Sequence, residues 1–173
     1  MELPSSLARW RVAMMMTENE IVESLKESFG DKILEIESPR ERRIFSRIKQ
    51  EDLKKVVAFI RDDLQITHLS TITASDLGDE IELIYHFVYE GAIVLSLVTE
   101  VPMDEPKIPT IVDIIPGSQL YEREVYEMMG VVFEGHPNLE PLLLPEDWPK
   151  GVYPLRKEYD LEKLRELNKD DTA

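Results

Sequence analysis

The chain has 173 residues, enough for one domain of common size plus tails, and its composition of 43% hydrophobic and 32% charged residues is that of a globular protein. Its formal net charge of -15 argues against binding nucleic acid, because affinity for phosphates needs clustered lysine and arginine side chains. Because cysteine is absent, disulfides, thiolate nucleophiles and cysteine-held iron–sulfur clusters are excluded. Any redox centre therefore belongs to another chain, and no apolar run reaches the roughly 18–20 residues that span a bilayer.

The first sixteen residues carry two arginines and an apolar run that is too short for a secretory signal. We expect residues 1–16 to be a flexible tail or the product of a start codon placed too far upstream. In the second case translation begins at Met14, Met15 or Met16.

Two helices are predicted in the next part of the chain. Thr17 and Glu20 form a capping-box pattern, apolar residues follow at helical spacing, and Gly30 provides a stop, which predicts a helix over residues 18–29. Residues 50–64 show the same i, i+3, i+4, i+7 spacing and predict a second helix.

Five β-rich runs accompany these helices. Residues 33–37 and 42–48 are predicted strands joined by a turn at residues 38–40, and residues 66–74, 80–89 and 92–99 predict a meander of antiparallel hairpins. His68 and His86 fall in these strands, where a core or edge position is the common role. The order predicts an α+β domain over residues 17–116, with a mixed or antiparallel sheet and helices packed on one face.

Residues 117–173 predict a short helix followed by an extended C-terminal docking arm. Gly130 follows the helix, residues 135–138 suit a tight turn, and prolines then interrupt a run of leucines that ends near Trp148. These large apolar residues are too few for a core and too many for a free loop. The arm is therefore predicted to dock onto a protein surface.

The short helix carries several acidic residues. Helical geometry places Arg123, Glu124 and Glu127 on one side, with Arg123 and Glu127 predicted to form an i, i+4 ion pair. Glu122 lies at the margin of the apolar side. It is either a solvated edge residue or a carboxylate that pairs with a basic side chain from the arm or from a partner.

Two further classes of function stay open at this point. A stand-alone metal-dependent enzyme would use Glu122, Glu127 and His136, although the glutamates do not converge on the helix. A free-standing acidic interaction module is the other alternative.

Five blocks of sequence between residues 122 and 159 occur in one order, and together they resemble the 30-kDa (NuoC-type) subunit of respiratory complex I. This family also includes the corresponding subunits of membrane-bound, energy-converting [NiFe] hydrogenases. The blocks are Glu122–Glu124, Glu127–Gly130, Phe133–Pro137, Leu142–Trp148 and Pro154–Tyr159.

The resemblance implies a hydrophilic, cofactor-free scaffold subunit at the cytoplasmic face of the cell membrane, attached peripherally through its partners. Those partners are implied to be a large catalytic-subunit homologue (NuoD-like), which the arm covers, and an iron–sulfur small-subunit homologue (NuoB-like). The [NiFe] centre and the iron–sulfur clusters are expected in these partners. The predicted partner-interface residues are Glu122, Arg123, Glu124, Glu127, His136, Leu142, Leu143, Trp148, Tyr153, Arg156 and Lys157.

Two features differ from the usual family pattern. Glu140 stands where a basic residue is usual, and residues 149–153 replace a shorter join. These differences favour a ferredoxin-oxidising, proton-reducing hydrogenase over an NADH- or ferredoxin:quinone oxidoreductase or a related sulfur-reducing complex.

Overall fold

The computed structural model describes residues 16–167, so the predictions made for residues 1–15 lie outside the described part. The first helix, α1, spans Glu18–Phe29 as predicted. Its capping box is formed, since Thr17 Oγ1 accepts from the Glu20 backbone while the Glu20 carboxylate accepts from the Thr17 backbone N–H at 2.7 Å. Just before it, the Met16 N–H donates to the Tyr89 hydroxyl at 3.1 Å, which ties the start of α1 to the sheet.

A five-stranded mixed sheet and a second helix follow, and the predicted α+β class is confirmed. The strand order is β1-β2-β5-β4-β3, antiparallel except where β2 and β5 run parallel. The elements are β1 Ile33–Arg40, β2 Arg43–Ile48, α2 Leu53–Asp62, β3 His68–Asp76, β4 Glu80–Tyr89 and β5 Ile93–Pro102.

Two predicted boundaries are wrong for reasons visible in the backbone. β1 continues to Arg40 because it is an edge strand. Proline is tolerated there, since the N–H that Pro39 lacks is not required for hydrogen bonding to a second neighbouring strand. The turn therefore falls at residues 41–42, where Arg42 has a φ of 62°. The second helix is shorter than predicted, with a 3₁₀ turn at Gln50–Asp52 before α2 and a positive φ of 56° at Gln65 after it.

The two faces of the sheet differ in their cover. The face that includes Leu83, Tyr85 and Leu97 joins α1 and α2 in one hydrophobic cluster. The opposite face presents alternating side chains of the same strands, and we call it the open face. Its central members are Phe45, Ile84, His86, Ser96 and Val98, and Arg47 borders them on the same face.

The chain then forms a second, smaller layer. Strand β6 (Lys107–Pro109) pairs in parallel with β7 (Val132–Glu134), and helix α3 (Gln119–Met129) lies between them in sequence. Val125, Met129 and Phe133 belong to the same hydrophobic cluster as the main sheet. A short helix, α4 (Leu161–Leu167), ends the described part, and none of the helices in residues 16–167 is long and apolar enough to cross a membrane.

Candidate functional site

The candidate site is α3 together with the segment that lies against it, residues 135–160, which we call the arm. Two side chains one helical turn apart hold the arm backbone. Arg123 donates to the carbonyl oxygens of Glu140 at 2.9 Å and Pro141 at 2.6 Å. The Glu127 carboxylate accepts from the backbone N–H groups of Leu143 at 2.7 Å and Leu144 at 3.0 Å.

The predicted Arg123–Glu127 ion pair is therefore wrong. The i, i+4 spacing places both side chains on one helix face as expected, but each binds the arm main chain instead of the other. Glu127 is only 7% exposed, so its charge is stabilised mainly by the arm amides. Glu124, on the neighbouring side of α3, is exposed.

The arm returns to α3 at the end of the helix. The Leu155 N–H donates to the Met128 carbonyl at 3.2 Å, and Arg156 Nε donates to the Met129 carbonyl at 2.8 Å. The Arg156 guanidinium also lies 4.5 Å from the centre of the Tyr153 ring, a cation–π contact. Carbonyl groups that a helix end leaves without partners are thus bound by the arm.

Gly130 makes this return possible. Its φ is 75°, in the left-handed region, and a Cβ at this position would lie 2.5 Å from Tyr153 Cζ. Glycine therefore serves two purposes, ending α3 and admitting the aromatic ring.

Turns within the arm are closed by its own aromatic side chains. Trp148 Nε1 donates to the Val152 carbonyl at 2.9 Å, and the Tyr159 hydroxyl donates to the Gly151 carbonyl at 3.2 Å. The Lys157 N–H donates to Asp76 of β3 at 2.9 Å, and this bond is the main reason that the pKa of Asp76 is lowered. Trp148 thus lies half-buried in a turn of the arm, while the Lys157 side chain is exposed.

Glu122 is fully buried, so the expectation of a solvated edge residue is wrong. Among residues 16–167, the expected pairing with a basic side chain of the arm is not formed either. Its carboxylate accepts from Thr110 Oγ1 at 2.5 Å, the Ile111 N–H at 2.8 Å and Ser118 Oγ at 3.2 Å. Burial raises the pKa of Glu122, against the opposing effect of these three donors. The carboxylate ties α3 to the loop that follows β6.

His136 is also engaged by the chain itself. Its Nδ1 accepts from the Asn138 N–H at 3.0 Å, and its Nε2 lies 3.1 Å from the Gln119 carbonyl, which it reaches as a donor. Glu122, Glu127 and His136 therefore bind three different sets of backbone and hydroxyl groups. Within residues 16–167, no cluster of three or more His, Asp or Glu side chains is arranged to hold a metal ion.

Four leucines of the arm and the start of α4 are exposed, by 36% at Leu142, 59% at Leu143, 62% at Leu155 and 71% at Leu161. Leu139 of the arm instead packs against the hydrophobic core, and Leu144 is half-buried. The arm thus has a fixed backbone and an apolar outer surface. The exposed leucines follow from the sequence, whereas their support by Arg123 and Glu127 does not, because no sequence pattern signals that a side chain binds a distant main chain.

The chain is similar to subunits of several respiratory complexes. It is 39% identical over 145 residues to a subunit of the F(420)H(2) dehydrogenase of Methanosarcina mazei, covering 81% of this chain and 90% of that relative. It is 35% identical over 142 residues to the beta subunit of the membrane-bound hydrogenase of Pyrococcus furiosus, covering 79% and 82%. A third relative, a subunit of the NADH-quinone oxidoreductase of Nocardioides sp., is 33% identical over 83% of this chain and 61% of its own length.

Solved structures share the fold. A chain of the membrane-bound sulfane sulfur reductase, an archaeal respiratory membrane complex, superposes with a TM-score of 0.77 at 30% identity, covering 90% of this chain and 91% of that one. The trypsin-resistant fragment of Nqo5 superposes with a TM-score of 0.60 at 23% identity and supports the fold alone. The family described as "Respiratory-chain NADH dehydrogenase, 30 Kd subunit" matches residues 46–165, a range that includes α3 and the whole arm. The chain belongs to this family.

Proposed function

We propose that this chain is a scaffold subunit of a membrane-bound respiratory complex and that the arm is its docking surface for a large-subunit homologue of the NuoD type. The observation that carries the proposal is the arm itself. Its backbone is held by Arg123 and Glu127, whereas Leu143 and Leu155 are more than half exposed. A fixed segment with an apolar outer surface is suited to protein binding, because its ordering cost is met before a partner arrives.

The residues required by the metal-enzyme alternative do not support it. Glu122 and Glu127 accept hydrogen bonds with both carboxylate oxygens, and His136 contacts backbone groups with both ring nitrogens. We therefore assign the chemistry to partner subunits. In this proposal a [NiFe] centre and iron–sulfur clusters lie in the large subunit and in a NuoB-like small subunit, and the chain attaches to the cytoplasmic face of the membrane through them.

The finer proposal is a ferredoxin-oxidising, proton-reducing hydrogenase. The likeness to the hydrogenase subunit of Pyrococcus furiosus supports it, as do Glu140 and the linker at residues 149–153. A second candidate is an F(420)H(2)-oxidising complex, favoured by the higher identity to the Methanosarcina mazei subunit.

The complex purified through a tag on this chain separates the two candidates. The hydrogenase proposal predicts nickel in the preparation and hydrogen evolution from reduced ferredoxin. Oxidation of F(420)H(2) without nickel would instead support the second candidate.

Docking is tested by placing a charge on the arm surface. Leu143→Asp is expected to reduce co-purification of the large subunit at least tenfold, because it puts a carboxylate into an apolar contact. Leu34→Asp is the matched control, since Leu34 lies on β1 and is 53% exposed, close to the 59% of Leu143. Equal recovery of the partner with both variants would contradict the docking proposal.

A further inference from the structure

The open face of the sheet carries apolar side chains that lie outside the main hydrophobic cluster. Among residues 16–167, none of its apolar members belongs to the hydrophobic cluster that joins the helices to the sheet. No hydrogen bond or ion pair of the arm reaches this face in the same part of the chain. Its apolar members are Phe45, Ile84, Val88 and Val94, which are half-buried, and Val98, which is only 5% exposed.

The centre of the face can be buried without leaving a polar group unpaired. His86 is its central polar side chain, and its ring nitrogens lie 2.8 Å from Thr73 Oγ1 and 3.0 Å from Ser96 Oγ. Burial lowers the pKa of His86, so the ring is neutral at physiological pH. A covering surface would therefore meet an apolar patch with a satisfied imidazole, not a charge that needs water.

The rim of the face carries an excess of negative charge. Arg47 binds the carboxylates of Glu82 at 3.0 Å and Glu100, and it lies 4.0 Å from that of Glu35. The side chains of Glu82 and Glu100 are only 19% and 34% exposed, so water stabilises them incompletely. With Glu37 and Glu80, five carboxylates on this face stand against the three guanidinium groups of Arg40, Arg43 and Arg47, which leaves a formal charge of -2.

This charge decides which occupant fits. Two copies of the chain packed through this face would bring like carboxylates together, and an anionic membrane surface would be repelled for the same reason. We propose that the open face is a second protein-binding surface, and that its partner is a subunit with an apolar patch bordered by lysine or arginine side chains.

The size of the face indicates how it works. Five strands spaced about 4.8 Å apart, over six residue steps of about 3.3 Å, give a projected area of roughly 400–500 Å². A stable stand-alone interface buries about 800 Å² per partner. The open face therefore adds to the contact made by the arm, and in this respect the inference rests on the proposed function.

The absence of cysteine in the chain allows a direct test. Ser75 is exposed and lies opposite Glu82 on the open face, whereas Ser28 is exposed on α1. Single Ser75→Cys and Ser28→Cys variants, expressed in place of the native chain, are treated with a maleimide both as the isolated chain and in the purified complex. We expect Ser75→Cys to react at least tenfold more slowly in the complex than in the isolated chain, while Ser28→Cys reacts equally in both.

The role of charge is tested in the same assay. Glu82→Gln together with Glu100→Gln should remove most of the protection at Ser75→Cys, because the partner loses its charge complement while the size of both side chains is kept. If Ser75→Cys is equally protected in this variant, the proposal of a partner with lysine or arginine side chains around its apolar patch is wrong.

The other outcomes each overturn the proposal in a recognisable way. If Ser75→Cys reacts as fast in the intact complex as in the isolated chain, as Ser28→Cys is expected to do, the open-face proposal is wrong and the arm proposal is unaffected. Protection in the isolated chain that depends on concentration would identify a second copy as the occupant. Concentration-independent protection that disappears when the chain starts at Met14 would identify residues 1–13. A chain recovered alone from the cell, with Ser75→Cys reactive, would contradict both proposals.

Discussion

Glu127→Gln is predicted to release the arm from α3 without unfolding the domain. The wild-type carboxylate accepts two charge-assisted hydrogen bonds from the Leu143 and Leu144 amides. Glutamine keeps one acceptor oxygen but turns an NH₂ group toward the second amide. The loss of one such bond at a site only 7% exposed costs about 2 kcal/mol.

The free-energy cost of this substitution can be measured as a change in amide hydrogen exchange of the arm. About 2 kcal/mol corresponds to a roughly 30-fold larger population of the detached arm. Amide hydrogen exchange followed by NMR should therefore be about 30 times faster at Leu143 and Leu144, while the amides of β4 keep their wild-type rates. The matched control is Glu124→Gln, which removes the same charge from an exposed position of the same helix. The reasoning fails if the two arm amides keep their wild-type rates, or if the control accelerates them equally.

Two more predictions concern the elements around the arm. Gly130→Ala is expected to lower the free energy of unfolding, measured by urea titration, by about 2–4 kcal/mol, because it places a Cβ on a left-handed backbone and in contact with Tyr153. Gly117→Ala is the control, since a Cβ there meets no atom within 4 Å. It should change the free energy of unfolding by less than about 1 kcal/mol. Glu122→Gln tests the raised pKa of the Glu122 carboxyl group, since a raised pKa means that the folded state is more stable when this group is protonated. The free energy of unfolding of the wild type minus that of the variant should therefore fall as the pH rises above the ordinary pKa of 4.5. A difference that increases with pH would contradict this reasoning.

The regular elements follow from local patterns in the sequence. The span of α1 was predicted correctly because a capping box and a glycine mark its two ends. β4 was predicted correctly because strict alternation and two turns define it. β1 was cut short because Pro39 is typical of a turn, and only the sheet order reveals that the strand lies at an edge.

The candidate site could be predicted only in part. The exposed leucines of the arm follow from composition and from the missing periodicity. The contacts that position them join residues that lie 16 to 27 positions apart in sequence and depend on the path of the backbone. Glu122 shows the same limit. Helical geometry placed it at the margin of the apolar face, but the three donors that surround it come from a loop and a 3₁₀ turn that no local pattern brings together.

The contacts of Arg123 and Glu127 have a consequence for how binding specificity can change. Both side chains bind the main chain of residues 140–144 and not its side chains. Except at positions where proline would remove a required N–H, the identity of the side chains there does not enter these contacts. The backbone of residues 140–144 is thus held independently of the side chains that it presents. Under the docking proposal, exchanging the leucines at 142 and 143 would change which partner is recognised while α3 continues to hold the same segment.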